Sequence, residues 1–497
     1  MADSFTVVTP ENIEPAVHPG AAAPPAPTAK AAAQPERLST KTKLAFATGG
    51  SVDIFGHWLF NNMVDPVYNV FLGLTPTQVS MTRASSLVAD ACSGLFFGWL
   101  SDNTRSRWGR RRPYILVGSI LAGLALPLLF AARPGWSNGD IFLYVLIASL
   151  AFAPLIACVN TPYQSLGAEL TPDYNERTTV QSYKAFVQKT AGAILGSGVW
   201  FATRPMFNDP ATGKPDVAFG AVCAAAICGA LMIVAGIVNF SFVQERYYEK
   251  ARKQTKVGFR RMFADAFSTK PYLVVLGTAL VYAVPTGLVN TLGFYALTYH
   301  VYGGDMTAAS GIHALGGFSY MLFGFAGVYC VGRISRVIGK HKTLMVMLGV
   351  GLFAFGSSWW LYTPSYPWLS LLCQGLNGFS ATGLWVILPA MTADVIDFDE
   401  LRSGKRREGA FTSTFSWTVK VGMMLSMLFG GPLLQLTGFD AKLPVQSDGA
   451  VFGIRLLFAG IPVTALVIAL LLIQFYTLDT KRMSQIRGEL EARRGIV

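Results

Sequence analysis

A stretch near the amino terminus constrains the fold of this chain more than any other. It covers residues 77–112 and reads TQVSMTRASSLVADACSGLFFGWLSDNTRSRWGRRR. Its first part is apolar and long enough to cross a lipid bilayer, which takes about 20 residues. One carboxylate, Asp90, stands in the middle of this part, and five arginines follow between Arg105 and Arg112. The stretch therefore predicts a membrane-spanning helix with a basic end.

Asp90 is the residue in this stretch that most needs an explanation. A charge at the centre of a bilayer costs at least about 2.5–3.5 kcal/mol unless it faces a wet cavity or a partner. The helix rises about 18 Å from Asp90 to Asp102, which puts Asp90 near the bilayer centre. We therefore expect Asp90 to face the inside of a helix bundle. The arginines cannot enter lipid, so they place their end of the helix in the cytoplasm.

The composition is that of a membrane protein. Hydrophobic residues make up 52% of the 497 residues and charged ones only 14%, against about 25% charged in a soluble globular chain. Basic residues between the apolar runs carry the net charge of +12, which a membrane explains better than nucleic-acid binding does. The six cysteines lie within apolar runs, without a CxxC pair or a zinc-spaced histidine. We therefore predict no disulfide, metal or cofactor.

Twelve apolar runs predict twelve membrane-spanning helices, which we number α1 to α12. Basic residues concentrate in alternate loops, which places both termini in the cytoplasm and requires an even number of spans. The predicted ranges, in order, are 43–72, the apolar part of 77–112, 113–133, 141–170, 180–203, 218–242, 271–300, 307–332, 343–362, 367–395, 410–436 and 451–476.

The apolar runs divide into two sets of six. The loop GAELTPDYNERT after α4 resembles TADVIDFDELRSGKRREG after α10, and GRISRVIGKHK after α8 is a degenerate form of the arginine loop. Two parallel six-helix halves with a site between them at mid-membrane are a known transporter plan. We predict a disordered, Ala/Pro-rich cytoplasmic tail over 1–40, helical bundles over 41–243 and 271–476, a cytoplasmic linker over 244–270 and a charged cytoplasmic tail over 477–497.

Three motifs carry a resemblance to a known family. The first is Gly98-Trp99 with NTRSRWG and Arg112-Pro113, the second is PYxSLxAE at 162–169 with Asp173 and Glu176-Arg177, and the third is ADxxDF at 393–398 with Glu408 and Val419-Lys420. Together they resemble the major facilitator superfamily and, within it, the glycoside–pentoside–hexuronide:cation symporter family. The similar spacing extends over about residues 43–476.

The resemblance implies an all-α membrane protein with twelve transmembrane helices in two pseudo-symmetric six-helix bundles. It implies a monomeric secondary active transporter in the cell membrane (the inner membrane of a Gram-negative cell) that moves a glycoside or related sugar by alternating access. In the family, a cation site lies between α2 and α4, and α1, α4, α5, α10 and α11 contact the sugar. By motif register, Asp90 matches the first α2 carboxylate, Lys420 matches the α11 lysine, and Asp53 resembles the acidic residue of α1.

Three departures from the family pattern bear on the coupling ion. Gly94 replaces the second α2 carboxylate, Asn160 replaces the α4 carboxylate, and Gln164 replaces an α4 tryptophan. A hard cation prefers several oxygen ligands, and Asp90 with Ser93 and Asn160 is a thin set. A buried carboxylate near a lysine suits proton exchange better. We therefore predict coupling to a proton, with sodium as the alternative.

Several polar residues are candidates for binding the sugar. Asp53, His57 and Asn61 follow one another at i, i+4 and i+8, which puts them on one face of an α-helix and suits a hydroxyl-rich ligand. His57 would alternatively be a core histidine, Lys184 a lysine reaching the membrane surface, and Trp385 a packing residue rather than a stacking platform. The predicted binding set is Asp53, His57, Asn61, Asn160, Gln164, Lys184, Trp385 and Lys420, and the predicted coupling set is Asp90, Ser93, Asn160 and Lys420.

A group of charged residues at the cytoplasmic ends of the helices predicts a gate. Salt bridges among them would hold the two halves together while the opposite side is open. The predicted latch consists of Asp102, Arg105, Arg107, Arg110, Arg111, Glu169, Arg177, Asp394 and Arg402.

Two alternatives stay open at this point. The first keeps the fold and carries a lysolipid or another amphipathic solute, as a branch of the family does; a lateral apolar groove would favour it, whereas the polar residues Asp53, His57 and Asn61 argue against it. The second is a membrane receptor or scaffold that transports nothing, which would carry an extra soluble domain. No nucleophile–base pair or metal cluster is visible in the sequence, so we do not expect an enzyme.

Overall fold

The computed structural model describes residues 38–170, 174–210, 213–245, 267, 269–404, 407–441, 443 and 445–493. Most of the predicted amino-terminal tail and of the predicted linker lies outside these ranges.

Helices of membrane-spanning length follow the predicted order through the described part of the chain. They are α2 (Pro76–Asn103), α3 (Arg112–Ala125, extended by a 3₁₀ turn, Leu126–Phe130), α4 (Asn138–Glu169), α5 (Tyr174–Gly196, followed by Gly198–Ala202), α6 (Val217–Phe242), α7 (Lys270–Tyr295, extended by a π turn, Ala296–Val301), α10 (Leu369–Ser403), α11 (Glu408–Leu436) and α12 (Asp448–Ile473).

The remaining spans have irregular backbones. Helix α1 begins as Thr40–Asp53 and continues through a π turn (Ile54–Trp58), an α-helical segment (Leu59–Val64) and a second π segment (Asp65–Phe71). Helices α8 and α9 lie within one continuous stretch, Met306–Leu361, which is broken at Gly339 by a φ of 81°. Because L side chains rarely adopt this conformation, glycine permits the change of direction there. We use α8 for 306–338 and α9 for 340–361.

Three of the spans are more polar than the others. By length and composition, eight described helices are apolar enough to cross a membrane, with α8 and α9 taken as one. Helices α1, α2 and α5 are not among them. They carry Asp53, Asp90, Lys184 and Lys189, and a membrane accommodates such helices when their polar residues face other helices or a wet cavity.

The two halves, α1–α6 and α7–α12, meet along two seams, with α2 against α11 and α5 against α8. The contacts between halves include hydrogen bonds near the start of α2, at what we call the closed end. The backbone N–H of Gly431 donates to Ser80 Oγ at 2.6 Å. Side-chain hydrogen bonds also join the halves here, between Thr77 and Gln435 (2.6 Å) and between Asn69 and Tyr295 (2.6 Å). Thr203, after α5, and Ser310, near the start of α8, are joined in the same way at 3.2 Å.

The other end carries the arginine loop, and we call it the arginine-rich end. Glu245 accepts hydrogen bonds from the backbone N–H groups of Arg110, Arg111 and Arg112 at 3.0, 2.7 and 3.2 Å. These groups lie at the start of α3, where a helix has unpaired N–H donors and favours a carboxylate. Glu245 therefore fixes the arginine loop within the first half.

Other ion pairs at the arginine-rich end also join residues of the same half. Lys43 pairs with Glu176 at 2.8 Å, Lys340 with Asp394 at 2.7 Å and Arg407 with Asp399 at 2.6 Å. The segment predicted as a charged tail forms a further helix, α13 (Thr480–Arg493), which packs Met483, Ile486 and Leu490 into the second half.

The closed end depends on a glycine that has no room for a side chain. A Cβ on Gly431 would clash with the carbonyl oxygen of Pro76, whereas one on Gly430 would lie an ordinary 3.5 Å from Leu288. We expect Gly431→Ala to separate α2 from α11, because overpacking costs about 1–3 kcal/mol. In a Ser310→Cys background, alkylation at position 310, followed by mass spectrometry, should be faster in Gly431→Ala. Gly430→Ala is the matched control, and equal rates in both variants would contradict this assignment.

Candidate solute and cation site

Asp90 lies where the two halves face each other. Its side chain is partly buried on α2, within electrostatic range of His57, Lys420 and Asp53. Lys420 belongs to α11 in the second half, whereas the other three residues belong to the first. A carboxylate at this depth is stabilised by an opposite charge. The attraction between Asp90 and Lys420 therefore acts across the interface of the halves.

Asp53 is held by α4 and faces a second lysine. Asn160 Nδ2 donates to Asp53 Oδ1 at 2.5 Å, and Lys184 of α5 lies within electrostatic range of the same carboxylate. The Lys184 ammonium also lies 5.1 Å from the centre of the Tyr163 ring. The Tyr163 hydroxyl in turn donates to the carbonyl of Phe46 at 2.8 Å. Asp53, Asn160 and Lys184 thus form a polar group between α1, α4 and α5.

A glycine in α1 allows this close approach. A Cβ on Gly49 would lie 2.5 Å from the Tyr163 ring, a distance that real Cβ atoms do not reach. The small residue lets α1 and α4 pack directly against each other, as is common for helices in membranes. It therefore helps to bring Asp53 within reach of Asn160.

The space between α2 and α4 is narrow where a second carboxylate would stand. A Cβ on Gly94 would lie 3.2 Å from Thr161 Oγ1, and one on Gly98 would lie 3.3 Å from Thr161 Cγ2. Ser93 is partly buried and makes no hydrogen bond within the described part of the chain. Among the described residues, no group of three His, Cys, Asp or Glu side chains is arranged to hold a metal ion.

That Asp53, His57 and Asn61 share one face stays a prediction; a π turn, Ile54–Trp58, lies between Asp53 and Asn61. Asp53 pairs with α4, whereas Asn61 Nδ2 donates to the carbonyl of His57 at 2.9 Å. His57 and Asn61 line a small cavity together with Arg83 and Met427. His57 belongs both to this cavity and to the surroundings of Asp90.

An ion pair that the sequence analysis missed lies beside this cavity. Arg83 of α2 pairs with Asp65 of α1 at 2.6 Å, and both side chains are almost fully buried. Arg83 Nη1 also donates to Thr291 Oγ1 of α7 at 3.0 Å, which links the two halves. A basic residue seven positions before Asp90 in the same apolar run was the available signal. Its acidic partner Asp65 could be assigned only from the packing of α1 on α2.

The structure also describes two other predicted binding residues, Trp385 and Gln164. Trp385 packs edge-to-face on Tyr282, with 5.7 Å between the ring centres, and Gln164 is exposed. In the described part of the chain, no hydrogen bond joins either side chain to Asp53 or Asp90.

The predicted latch is described only in part. The side chains of Asp102, Glu169 and Arg177 lie outside the described residues. Asp394 is buried against Lys340, and Arg107 lies 5.0 Å from the ring centre of Trp108. Arg110 and Arg111 are buried, whereas Arg105, Arg107 and Arg402 are exposed. The role of these residues in joining the halves stays a prediction.

Two six-helix halves with opposite charges facing across their interface define a membrane transporter of the major facilitator fold. The fold is shared with a solved bacterial homologue of the human lysosomal transporter Spinster, at a TM-score of 0.62 and 14% identity over 90% of this chain and 97% of the other. Residues 47–480 match the family model described as MFS/sugar transport protein. The chain therefore belongs to this family, which confirms the predicted fold class and makes it a multi-pass membrane transporter and not an enzyme.

Curated relatives of similar length are named symporters and sugar transporters. The chain is 25% identical to the putative glycoside/cation symporter YagG of Escherichia coli, over 91% of this chain and 95% of the relative. It is also 25% identical to the isoprimeverose transporter of Lactiplantibacillus pentosus, over 83% of each chain. These matches agree with the family predicted from the three sequence motifs.

We expect Asp90 and Lys420 to be energetically coupled. Removing either charge alone leaves the other without its partner, so the double variant Asp90→Asn/Lys420→Met should lose less stability than the two single variants combined. Because Lys420 is exposed, the coupling should be about 0.5–1 kcal/mol. Unfolding of the detergent-solubilised variants measures it. Strictly additive losses would mean that the two charges do not interact.

Proposed function

We propose that the protein is a secondary active transporter that carries a glycoside or related sugar together with a proton by alternating access. The observation that carries this proposal is the position of Asp90, near Asp53 and His57 in one half and near Lys420 in the other. A ligand or proton that enters this group changes the attraction between the halves directly.

The groups around Asp53 suit a hydroxyl-rich solute. Its carboxylate accepts hydrogen bonds, the Asn160 amide both donates and accepts, and the Lys184 ammonium donates. Sugars present many hydroxyls in a fixed geometry, which such a mixed set can bind with few unpaired polar atoms. The names of the glycoside/cation symporter and the isoprimeverose transporter support a solute of this class.

The arrangement around Asp90 favours a proton over sodium. Sodium is a hard cation that prefers several oxygen ligands. Thr161 occupies the space beside Gly94 where a second carboxylate would stand, and Ser93 makes no hydrogen bond in the described part of the chain. Asp90 instead has a lysine and a histidine nearby. A carboxylate in such a place needs one proton, and no cage of ligands, to become neutral.

Alternating access follows from the same charges. Protonation of Asp90 removes its attraction to Lys420 and lets the lysine interact with a bound solute. A ligand moves a conformational equilibrium only by its difference in affinity for the two states. Because Lys420 would interact with either Asp90 or the solute, the affinity for the solute would differ between the two states. In this proposal the protein acts as a monomer. The arginine-rich end and both termini lie in the cytoplasm. The latch residues close the arginine-rich end while the opposite end is open.

Asp90→Asn should abolish accumulation of solute against its gradient, because the amide cannot exchange a proton. Exchange of labelled for unlabelled solute should continue, since exchange does not require the proton to leave. Both rates are measured in proteoliposomes with an imposed pH gradient. Asp448→Asn is the control, because this exposed carboxylate lies at the start of α12. Undiminished accumulation in Asp90→Asn would exclude this residue from coupling.

The driving ion can be tested separately. A pH gradient, acid outside, should drive solute uptake into sodium-free proteoliposomes, because the proton that neutralises Asp90 enters from the acidic side. A sodium gradient at equal pH on both sides should drive none. Uptake that follows sodium at constant pH would establish sodium coupling and overturn the proton assignment, while leaving sugar transport intact.

A further inference from the structure

The small cavity beside His57, which we call the His57 cavity, lies between the group around Asp90 and the closed end. Three helices other than α1 contribute to its lining, with residues that include Ser86 of α2, Ala153 of α4 and Met427 of α11. Helix α2 begins at the closed end and α11 ends there. Ser86 comes four positions before Asp90, and Met427 comes seven positions after Lys420. Because four to seven residues of α-helix rise about 6–10 Å, the cavity lies nearer the closed end than the two charges.

The polar side chains that line the His57 cavity have unused capacity for hydrogen bonds. The Nε of Arg83 is buried and has no hydrogen-bond partner in the described part of the chain. The His57 ring and the Ser86 hydroxyl also make no hydrogen bond with described residues. The Asn61 amide nitrogen donates to the His57 carbonyl, and its oxygen stays available. Buried water binds groups of this kind, with about three hydrogen bonds for each molecule, so the cavity suits water.

His57 connects this cavity with Asp90. Its side chain lines the cavity and lies within electrostatic range of the Asp90 carboxylate. Histidine takes up and releases protons near neutral pH, and its two ring nitrogens allow it to accept a proton at one and release a proton from the other. His57 therefore stands where a proton could pass between water and the carboxylate.

The charges around His57 do not oppose the entry of a proton. The charged side chains of the helices around it are Asp53 and Asp65 of α1, Arg83 and Asp90 of α2, Lys184 of α5 and Lys420 of α11. The interiors of α4 and α6, which also pack on α1, carry no charged residue. Arg83 is paired with Asp65 at 2.6 Å. Because three carboxylates face three cations, this region carries no net positive charge that would repel a proton.

We propose that the His57 cavity holds water and that His57 passes the coupled proton between this water and Asp90. One ring nitrogen accepts the excess proton from a hydronium ion in the cavity. The other nitrogen releases its own proton to the Asp90 carboxylate, so the ring is neutral before and after the transfer. Exchange of ring protons with water restores the first tautomer. When the closed end opens, the cavity joins the outside medium. This inference rests on the proposed function and adds the route of its proton.

A role of His57 in sugar binding or in packing alone makes a different prediction. Loss of such a role slows driven uptake of sugar and exchange of labelled for unlabelled sugar to the same extent. Loss of a proton relay slows driven uptake more, because exchange does not require the proton to leave Asp90. The informative quantity is therefore the coupling ratio, which is the rate of driven uptake divided by the rate of exchange, both at saturating sugar.

The coupling ratio can be measured with the full-length protein in sodium-free proteoliposomes. The solutes are labelled isoprimeverose, methyl β-glucoside and methyl β-galactoside, and an inside-negative membrane potential at equal pH drives uptake. We expect His57→Gln and His57→Ala each to lower the ratio about tenfold or more, since neither side chain carries a proton. Imidazole on both sides should restore the ratio of His57→Ala to within about threefold of the unmodified protein, because it fits the space left by the ring. It should not restore His57→Gln, in which glutamine fills this space.

Two neighbouring serines test the cavity itself. Ser86 lines the cavity, whereas Ser85 does not. Ser86→Val replaces a hydroxyl with a methyl group at the position of the proposed water, so it should lower the coupling ratio about threefold or more. Ser85→Val makes the same change on the adjacent residue and should leave the ratio unchanged.

The outcomes separate the relay from the proposed function. An unchanged ratio in both His57 variants would overturn the relay, and so would a loss in His57→Ala that imidazole does not restore. Equal ratios in Ser86→Val and Ser85→Val would overturn the route through the cavity. Each of these results leaves proton-coupled sugar transport standing. If the unmodified protein accumulates none of the three sugars under the membrane potential, the proposed function fails, and the relay fails with it.

Discussion

Unpaired charge is expensive within a membrane, and this cost organises the centre of the protein. Asp90 is acceptable there because Lys420 and His57 lie within electrostatic range. Asp53 is held by Asn160 and faces Lys184. Since Lys420 comes from the other half, the charge that stabilises Asp90 also draws the halves together. A proton or solute that alters this group therefore alters the interface.

The fold supplies two seams on which such a change can act. At the closed end the α2–α11 seam is tight, and Gly431 packs so closely on Pro76 and Ser80 that no side chain fits. Further along α2 and α11, away from the closed end, the two helices are attracted by the opposite charges of Asp90 and Lys420. The buried Asp65–Arg83 pair lies between these levels and touches the second half through Thr291. Packing, a fixed ion pair and a group that can be neutralised thus follow one another from the closed end inward.

Much of the fold could be predicted because lipid imposes length and hydropathy on every span. Helix α6 was expected at 218–242 and runs over Val217–Phe242, since an Asp216 cap and a long apolar run define it locally. The geometry of the site was harder to predict from the sequence. Helical periodicity contains neither the π turn after Asp53 nor the hydrogen-bond partners of Asp53 and Asn61, which are Asn160 and the carbonyl of His57. Likewise, Arg83 with Asp65, and Glu245 with the start of α3, pair residues that only the tertiary structure brings together.

The central claim is that solute and proton enter together through the group around Asp90. It is tested most directly by adding a transported sugar to weakly buffered proteoliposomes and recording the external pH with an electrode. The account predicts that the medium becomes more alkaline as the sugar enters, with about one proton per sugar as expected for a single titrating carboxylate. It also predicts no such change in Asp90→Asn. Sugar entry without any pH change in the unmodified protein would contradict it.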